Sequence, residues 1–179
     1  MRKSVTIDKL KKFMQKIAED SKGPGNIYFV GGSCALLLGI RDQTIDIDLK
    51  LDPEPKGVFE AIAKLKNELD LNIELASPDD FIPPDPDWKK NSIFIATIKG
   101  VNFYHYDITT QALAKIERGY DQDLKDVKAF IEKGLVSPEQ ILECLVKIDP
   151  LLLRYPAIDP KSFAKRVREY LDQIKSYRG

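Results

Sequence analysis

The sequence predicts an α/β fold (α+β in arrangement), a mixed sheet flanked by helices and followed by a helical C-terminal region. Three observations carry this. Before about residue 110, short runs with every second residue apolar alternate with runs whose apolar residues recur every three or four positions. From Thr109 onward only the second pattern remains. Hydrophobic residues make up 43% of the 179 residues, enough for a packed core and too many for a disordered chain. The expected organisation is an α/β domain over residues 1–110 and a helical region over 111–179, with no flexible linker at the seam.

The elements follow in order. Thr6 can cap a helix reaching about Asp20, with Ile7, Leu10, Phe13, Met14 and Ile17 on one face. Ser21 to Gly25 breaks it. "NIYFVGG" is a short apolar strand ending in glycines, and "SCALLLG" is a short helix closed by Gly39. "TIDIDLKL" alternates as a strand. Val58 to Leu69 is helical, with Phe59, Ile62, Leu65 and Leu69 as its stripe, and "LNIELAS" is the next strand. The proline-rich stretch Pro78 to Trp88 reads as a loop without regular structure. "SIFIATIKG" and "VNFYHYDI" form a hairpin turned at Lys99-Gly100. Four helices complete the chain: "TTQALAKIERG", "DQDLKDVKAFIEKG" closed by Gly134, "SPEQILECLVKI", and "DPKSFAKRVREYLDQIKSY". Ser137-Pro138 and Asp159-Pro160 start the last two as N-cap and first helical residue.

Charge narrows the function. Lys plus Arg total 28 and Asp plus Glu total 28, so a large basic surface for nucleic acid is not expected. Between Asp42 and Asp87, however, thirteen acidic residues face four basic ones, a local excess that suits a bound cation or a solvated acidic face. Cys34 and Cys144 lie far apart, no Cys/His group has zinc spacing, and His105 is the lone histidine. The start of the chain has no apolar leader pattern and no run suggests a transmembrane helix, so a soluble, cytoplasmic protein without membrane partners is expected.

The chemistry concentrates between Phe29 and Leu51. On a strand, residues i and i+2 share a side, so Thr44, Asp46 and Asp48 share one face while Ile45, Ile47 and Leu49 share the other. The two carboxylates then stand with Cα atoms roughly 6.5 to 7 Å apart, where like charges repel and a cation between them is favourable. A hard ion such as Mg²⁺ takes a few carboxylates and fills its shell with water and phosphate oxygens. Gly31-Gly32-Ser33, just before, lets backbone N–H groups approach a phosphate closely, and Ser33 can cap the helix or bond the phosphate. Either half alone has an ordinary structural reading, as turn packing or a polar strand face. Their succession is specific.

Gly32-Ser33 followed by Asp46-x-Asp48 on the next strand resembles the signature of the polymerase-β-like nucleotidyltransferase superfamily. Arg41-x-x-Thr44-x-Asp46-Ile47-Asp48-Leu49 is similar to the branch containing the AbiEii-type abortive-infection toxins. Lys115, Arg118-Gly119, Asp123 and Asp126 match that branch's helical Lys, Arg-Gly and Asp-x-x-Asp segment. The resemblance spans Tyr28 to Gly134. It implies a nucleotidyltransferase fold, with Gly31, Gly32, Ser33, Arg41, Thr44 and Lys115 around a nucleoside triphosphate. It implies Asp46 and Asp48 on Mg²⁺ or Mn²⁺, and a third carboxylate that completes the metal site and activates the acceptor. Glu74 and Asp107 are the candidates for that third group, and strand order favours Glu74. The implied activity moves a nucleoside monophosphate to a protein, RNA or small-molecule hydroxyl, within a toxin–antitoxin pair that brings an antitoxin-like partner. The alternative is a non-catalytic nucleotide-sensing or partner-binding module on the same scaffold.

Other residues have plainer readings. Arg118 and Asp123 can pair and fix the turn between two helices. His105 reads as a packing residue, Trp88 as a loop anchor. Arg166, Arg168, Tyr170 and Tyr177 read as part of a solvated amphipathic helix or as an RNA contact.

Overall fold

The computed structural model describes residues 3–177. They divide into two units. The first holds the described residues up to Ser77 together with Ser92–Tyr106; the second holds Pro78–Asn91 and the described residues from Asp107 onward.

The first unit contains α1 (Ile7–Asp20), β1 (Gly25–Val30), α2 (Gly31–Leu37), β2 (Asp46–Leu51), α3 (Val58–Glu68), β3 (Asn72–Leu75) and, after the excursion of Pro78–Asn91 into the second unit, β4 (Ile93–Ile98) and β5 (Val101–His105). The five strands make one mixed sheet in the order β3-β2-β1-β5-β4. The pairs β1/β5 and β2/β3 are parallel; β1/β2 and β4/β5 are antiparallel. The hairpin turns at Lys99 and Gly100, both at positive φ, as a two-residue connection requires.

Alternation divides the sheet's faces. Ile27, Phe29, Ile47, Leu49 and Phe103 are fully buried on one side, and Phe29 and Phe103 stack at 6.0 Å. α1 packs on α3 and α2, and α2 packs on β1 and β2. Thr6 caps α1 through the N–H of Lys9, and Leu10, Phe13, Met14 and Ile17 are buried as their spacing demands. Each such side chain contributes about 1.5–3 kcal/mol of burial. The opposite face carries Asp46, Asp48 and Lys50 on β2 and Tyr28 on β1. Tyr28 stacks on its β5 neighbour Tyr104 at 5.0 Å.

Several sequence expectations are corrected here. Ile45 was expected to share the apolar face, yet it is 58% exposed, because it lies at a bend and β2 begins only at Asp46. Thr44 accordingly lies outside the strand and pairs with Val5 in an isolated bridge. Phe59 is 47% exposed; α3 buries Val58, Ala61, Ile62 and Leu65, a stripe rotated one position from the expected one. Helix α2 starts at Gly31, so Ser33 lies inside its first turn and is not its cap.

The second unit opens with a 3-10 turn at Pro78–Asp80 and the one-turn helix α4 (Trp88–Asn91), so the proline-rich stretch has more local structure than its composition suggests. Proline is tolerated there because it opens the turn, where its missing N–H costs nothing. Then follow α5 (Ile108–Arg118), α6 (Asp121–Glu132), α7 (Pro138–Ile148), an unforeseen 3-10 segment at Asp149–Arg154, and α8 (Pro160–Tyr177). α5 packs against α6, α7 and α8. Ser137 and Gln140 close a reciprocal capping box on α7, and Asp159 accepts from the Ser162 N–H and hydroxyl at the start of α8. No helix among the described residues is long and apolar enough to cross a membrane.

The turn between α5 and α6 is tied by charge. Lys115 Nζ lies 2.8 Å from Asp126 and 3.1 Å from Asp123, and Arg118 donates to Asp123 at 2.8 Å. Lys115 and both aspartates are buried. A buried pair is costly to break on one side only, because the remaining charge loses its partner. Lys115→Met, which takes the ammonium from the buried Asp126, is expected to cost about 3–5 kcal/mol by urea unfolding, whereas replacing the pair together (Lys115→Met with Asp126→Leu) costs clearly less.

Candidate active site

The candidate residues on the first unit form one run of contacts. Gly31 follows β1 directly, and its φ of +58° is a conformation that side-chain-bearing residues rarely take. Space is a second constraint. A Cβ at Gly31 would stand 2.9 Å from Asp48 Oδ2, and one at Gly32 would strike Thr44 Oγ1 and lie 3.1 Å from Arg41 Nη1. The two glycines are therefore what bring the turn's backbone against Asp48, Thr44 and Arg41. Ser33 is buried and donates to the Val30 carbonyl at 2.8 Å, with the Asp48 carbonyl at 3.3 Å. Its hydroxyl ties α2 to β1 and β2. Thr44 donates to the Asp46 carbonyl at 3.3 Å, bracing the entry to β2.

The carboxylates follow from strand register. Asp48 lies directly across from Glu74 and Asp46 across from Asn72 on the parallel β2/β3 pair. All four therefore share a face. Asn72 was not singled out from sequence. Its Nδ2 donates to Asp46 Oδ1 and, at 2.8 Å, to Glu74 Oε1. A signal was present: Asn72 precedes Glu74 by two on a strand already assigned to the acidic face. Glu74 is exposed, while Asp46 and Asp48 are half-buried.

Asp107, the other candidate for a third carboxylate, opens α5 in the second unit. It accepts from the Thr109 N–H at 3.0 Å and from Thr110 Oγ1 at 2.7 Å. Burial pushes its carboxyl above the usual range, with the Asp85 charge adding to the rise, although the Thr109 and Thr110 bonds oppose it. Lys115 also belongs to the second unit, engaged as described above.

Behind the glycine turn, Cys34 Sγ lies 3.4 Å from His105 Nδ1. Both are buried, and neither cysteine is bridged. Burial lowers the His105 imidazole to about 4, so at neutral pH it is uncharged and joins α2 to β5.

The donor set fits a hard divalent ion: all-oxygen ligands, anionic, on one face of adjacent strands, with Asp46 and Glu74 already converging on a single donor. As they stand, no three His, Cys, Asp or Glu side chains among the described residues are gathered closely enough to hold a metal. Asp46 and Glu74 are joined through Asn72 instead.

Fold and site together define a mixed α/β protein with a glycine turn set against an acidic strand face, joined in sequence to a helical unit. The chain belongs to a family described as nucleotidyltransferases of unknown function (DUF6036), whose model matches residues 6–178. Comparison with curated proteins and with solved structures returns no significant match. Membership covers the helical region as well as the sheet, and it points to transfer of a nucleotidyl group.

His105 gives a pH test of the turn's support. Its folded pKa lies below that of the unfolded chain, so between about pH 6.5 and 4 only the unfolded chain gains the proton. Its contribution is full above pH 6.5 and lost as pH falls to about 4, a total of about 3 kcal/mol. In urea unfolding series across that range, His105→Gln should lose less stability than wild type by about that amount.

Proposed function

We propose that the protein transfers a nucleoside monophosphate from a metal-bound nucleoside triphosphate to a hydroxyl acceptor, with Asp46, Asp48 and Glu74 as its acidic site. The observation that carries this reading is the contact between the two halves of the motif. Asp48 Oδ2 lies where a Cβ at Gly31 would stand 2.9 Å from it, and Asp48 pairs in register with Glu74.

Each residue has a role that its position supports. The absence of a Cβ at Gly31 and Gly32 sets the turn's backbone against Asp48, Thr44 and Arg41, and a triphosphate at the turn would meet these three side chains. Ser33 shapes the turn and is available to phosphate only if it gives up its carbonyl partners. Asp46, Asp48 and Glu74 would hold Mg²⁺ or Mn²⁺. The ion would supply positive charge against the phosphates and the departing oxygen. Glu74, exposed to arriving acceptors, takes the proton as the acceptor oxygen attacks the α-phosphorus. The bond to the bridging oxygen breaks and pyrophosphate leaves. Lys115, neutralised by Asp123 and Asp126, is assigned to the stability of the helical unit rather than to phosphate binding.

The resemblance to AbiEii-type proteins favours a macromolecular acceptor, RNA or protein, in a toxin–antitoxin pair. The test is label transfer from α-³²P-labelled triphosphates to total RNA or protein, with calorimetry of Mg·ATP and Mg·GTP binding. Wild type should transfer label only with divalent metal, and Asp46→Asn with Asp48→Asn should lower transfer by roughly a hundredfold or more, the scale for losing electrostatic support at a reacting centre. Metal-independent triphosphate binding that the double variant retains, with no label transferred, would identify a binding module.

A further inference from the structure

We infer that Asn72 is an internal competitor for the cation: its amide holds Asp46 and Glu74 together until a divalent ion replaces it. This deepens the proposed function and rests on that reading of the acidic face.

The argument starts from register. Asn72 is level with Asp46 across the parallel pair and two residues before Glu74 on its own strand. Alternation places all three side chains on one face. Between them Asn72 offers a group that two carboxylates can share without a metal, a neutral carboxamide whose NH2 carries two N–H donors. It uses both, one to Asp46 Oδ1 and one to Glu74 Oε1 at 2.8 Å. The amide thus does in part what a cation would do, relieving repulsion between two like charges. A cation bound by the same two oxygens excludes these hydrogen bonds.

Competition has a thermodynamic signature. A group that stabilises only the metal-free protein must weaken metal binding by the same factor. Asn72→Leu keeps the approximate shape and removes both donors. It should lower the metal-free melting temperature by roughly 2–6 °C. It should also tighten Mn²⁺ binding roughly tenfold, the linked change expected for a loss of that size. At saturating Mn²⁺ the two melting temperatures should converge. Asn72→Asp, which turns the donor into a third carboxylate against Asp46 and Glu74, should move both quantities further in the same directions.

The experiment is differential scanning calorimetry of wild type, Asn72→Leu and Asn72→Asp, with and without Mn²⁺. Mn²⁺ affinity is read separately from the spin-resonance signal of the free ion. Tighter binding by Asn72→Leu, including binding seen only in that variant, supports the inference. Equal affinity in wild type and Asn72→Leu, or an equal drop in melting temperature with and without Mn²⁺, overturns it and leaves the metal site standing. Absence of Mn²⁺ binding from all three proteins removes the metal site itself, and the inference with it.

Discussion

Asp48 stands across from Glu74 because β2 and β3 run parallel in one register, and much of the candidate site depends on that pairing. A slip of one residue would turn Glu74 to the apolar face and bring Ile73 toward Asp48. The register is held from the other side of the sheet: Ile47, Leu49 and Ile73 are buried, and α1, α2 and α3 gather on one another and on the strands. Hydrophobic packing on one face thus fixes the spacing of charges on the other. The tight approach of Gly31 to Asp48 and of Gly32 to Thr44 adds the second constraint, since neither glycine has room for a Cβ.

Much of this was legible in the sequence because it is periodic. The two-residue period of "DIDL" places both aspartates on one face, and the caps at Thr6, Ser137 and Asp159 set three helix starts. What could not be read was tertiary. Ile45 has the right parity for the apolar face but sits before the strand begins, and parity says nothing about where pairing starts. Phe59 fits a helical stripe, yet the position of α3 buries Val58 and Ala61 instead. Asn72 needed the pairing partner of its strand to acquire meaning. The choice between Glu74 and Asp107 likewise rests on neighbours: one is beside Asp48, the other is committed to capping α5.

The helical unit shows the same economy of charge in a different setting. Among its buried ionisable groups, Lys115 pairs with Asp123 and Asp126, and Asp85 with Lys147 at 3.3 Å. Such pairs secure a fold because either member alone would be costly to bury. On the sheet, Asp46 and Glu74 share an amide instead. A neutral donor relieves two carboxylates less completely than a cation does, which is the basis of the proposed exchange of the amide for a metal.

The most direct measurement is anomalous diffraction at the manganese edge from crystals grown with Mn²⁺ and a non-hydrolysable nucleoside triphosphate. A manganese peak within coordination distance of Asp46 and Asp48, with phosphate density against Gly31 and Gly32, is the predicted result. Manganese bound only elsewhere, or a triphosphate seated away from the glycine turn, would contradict the account.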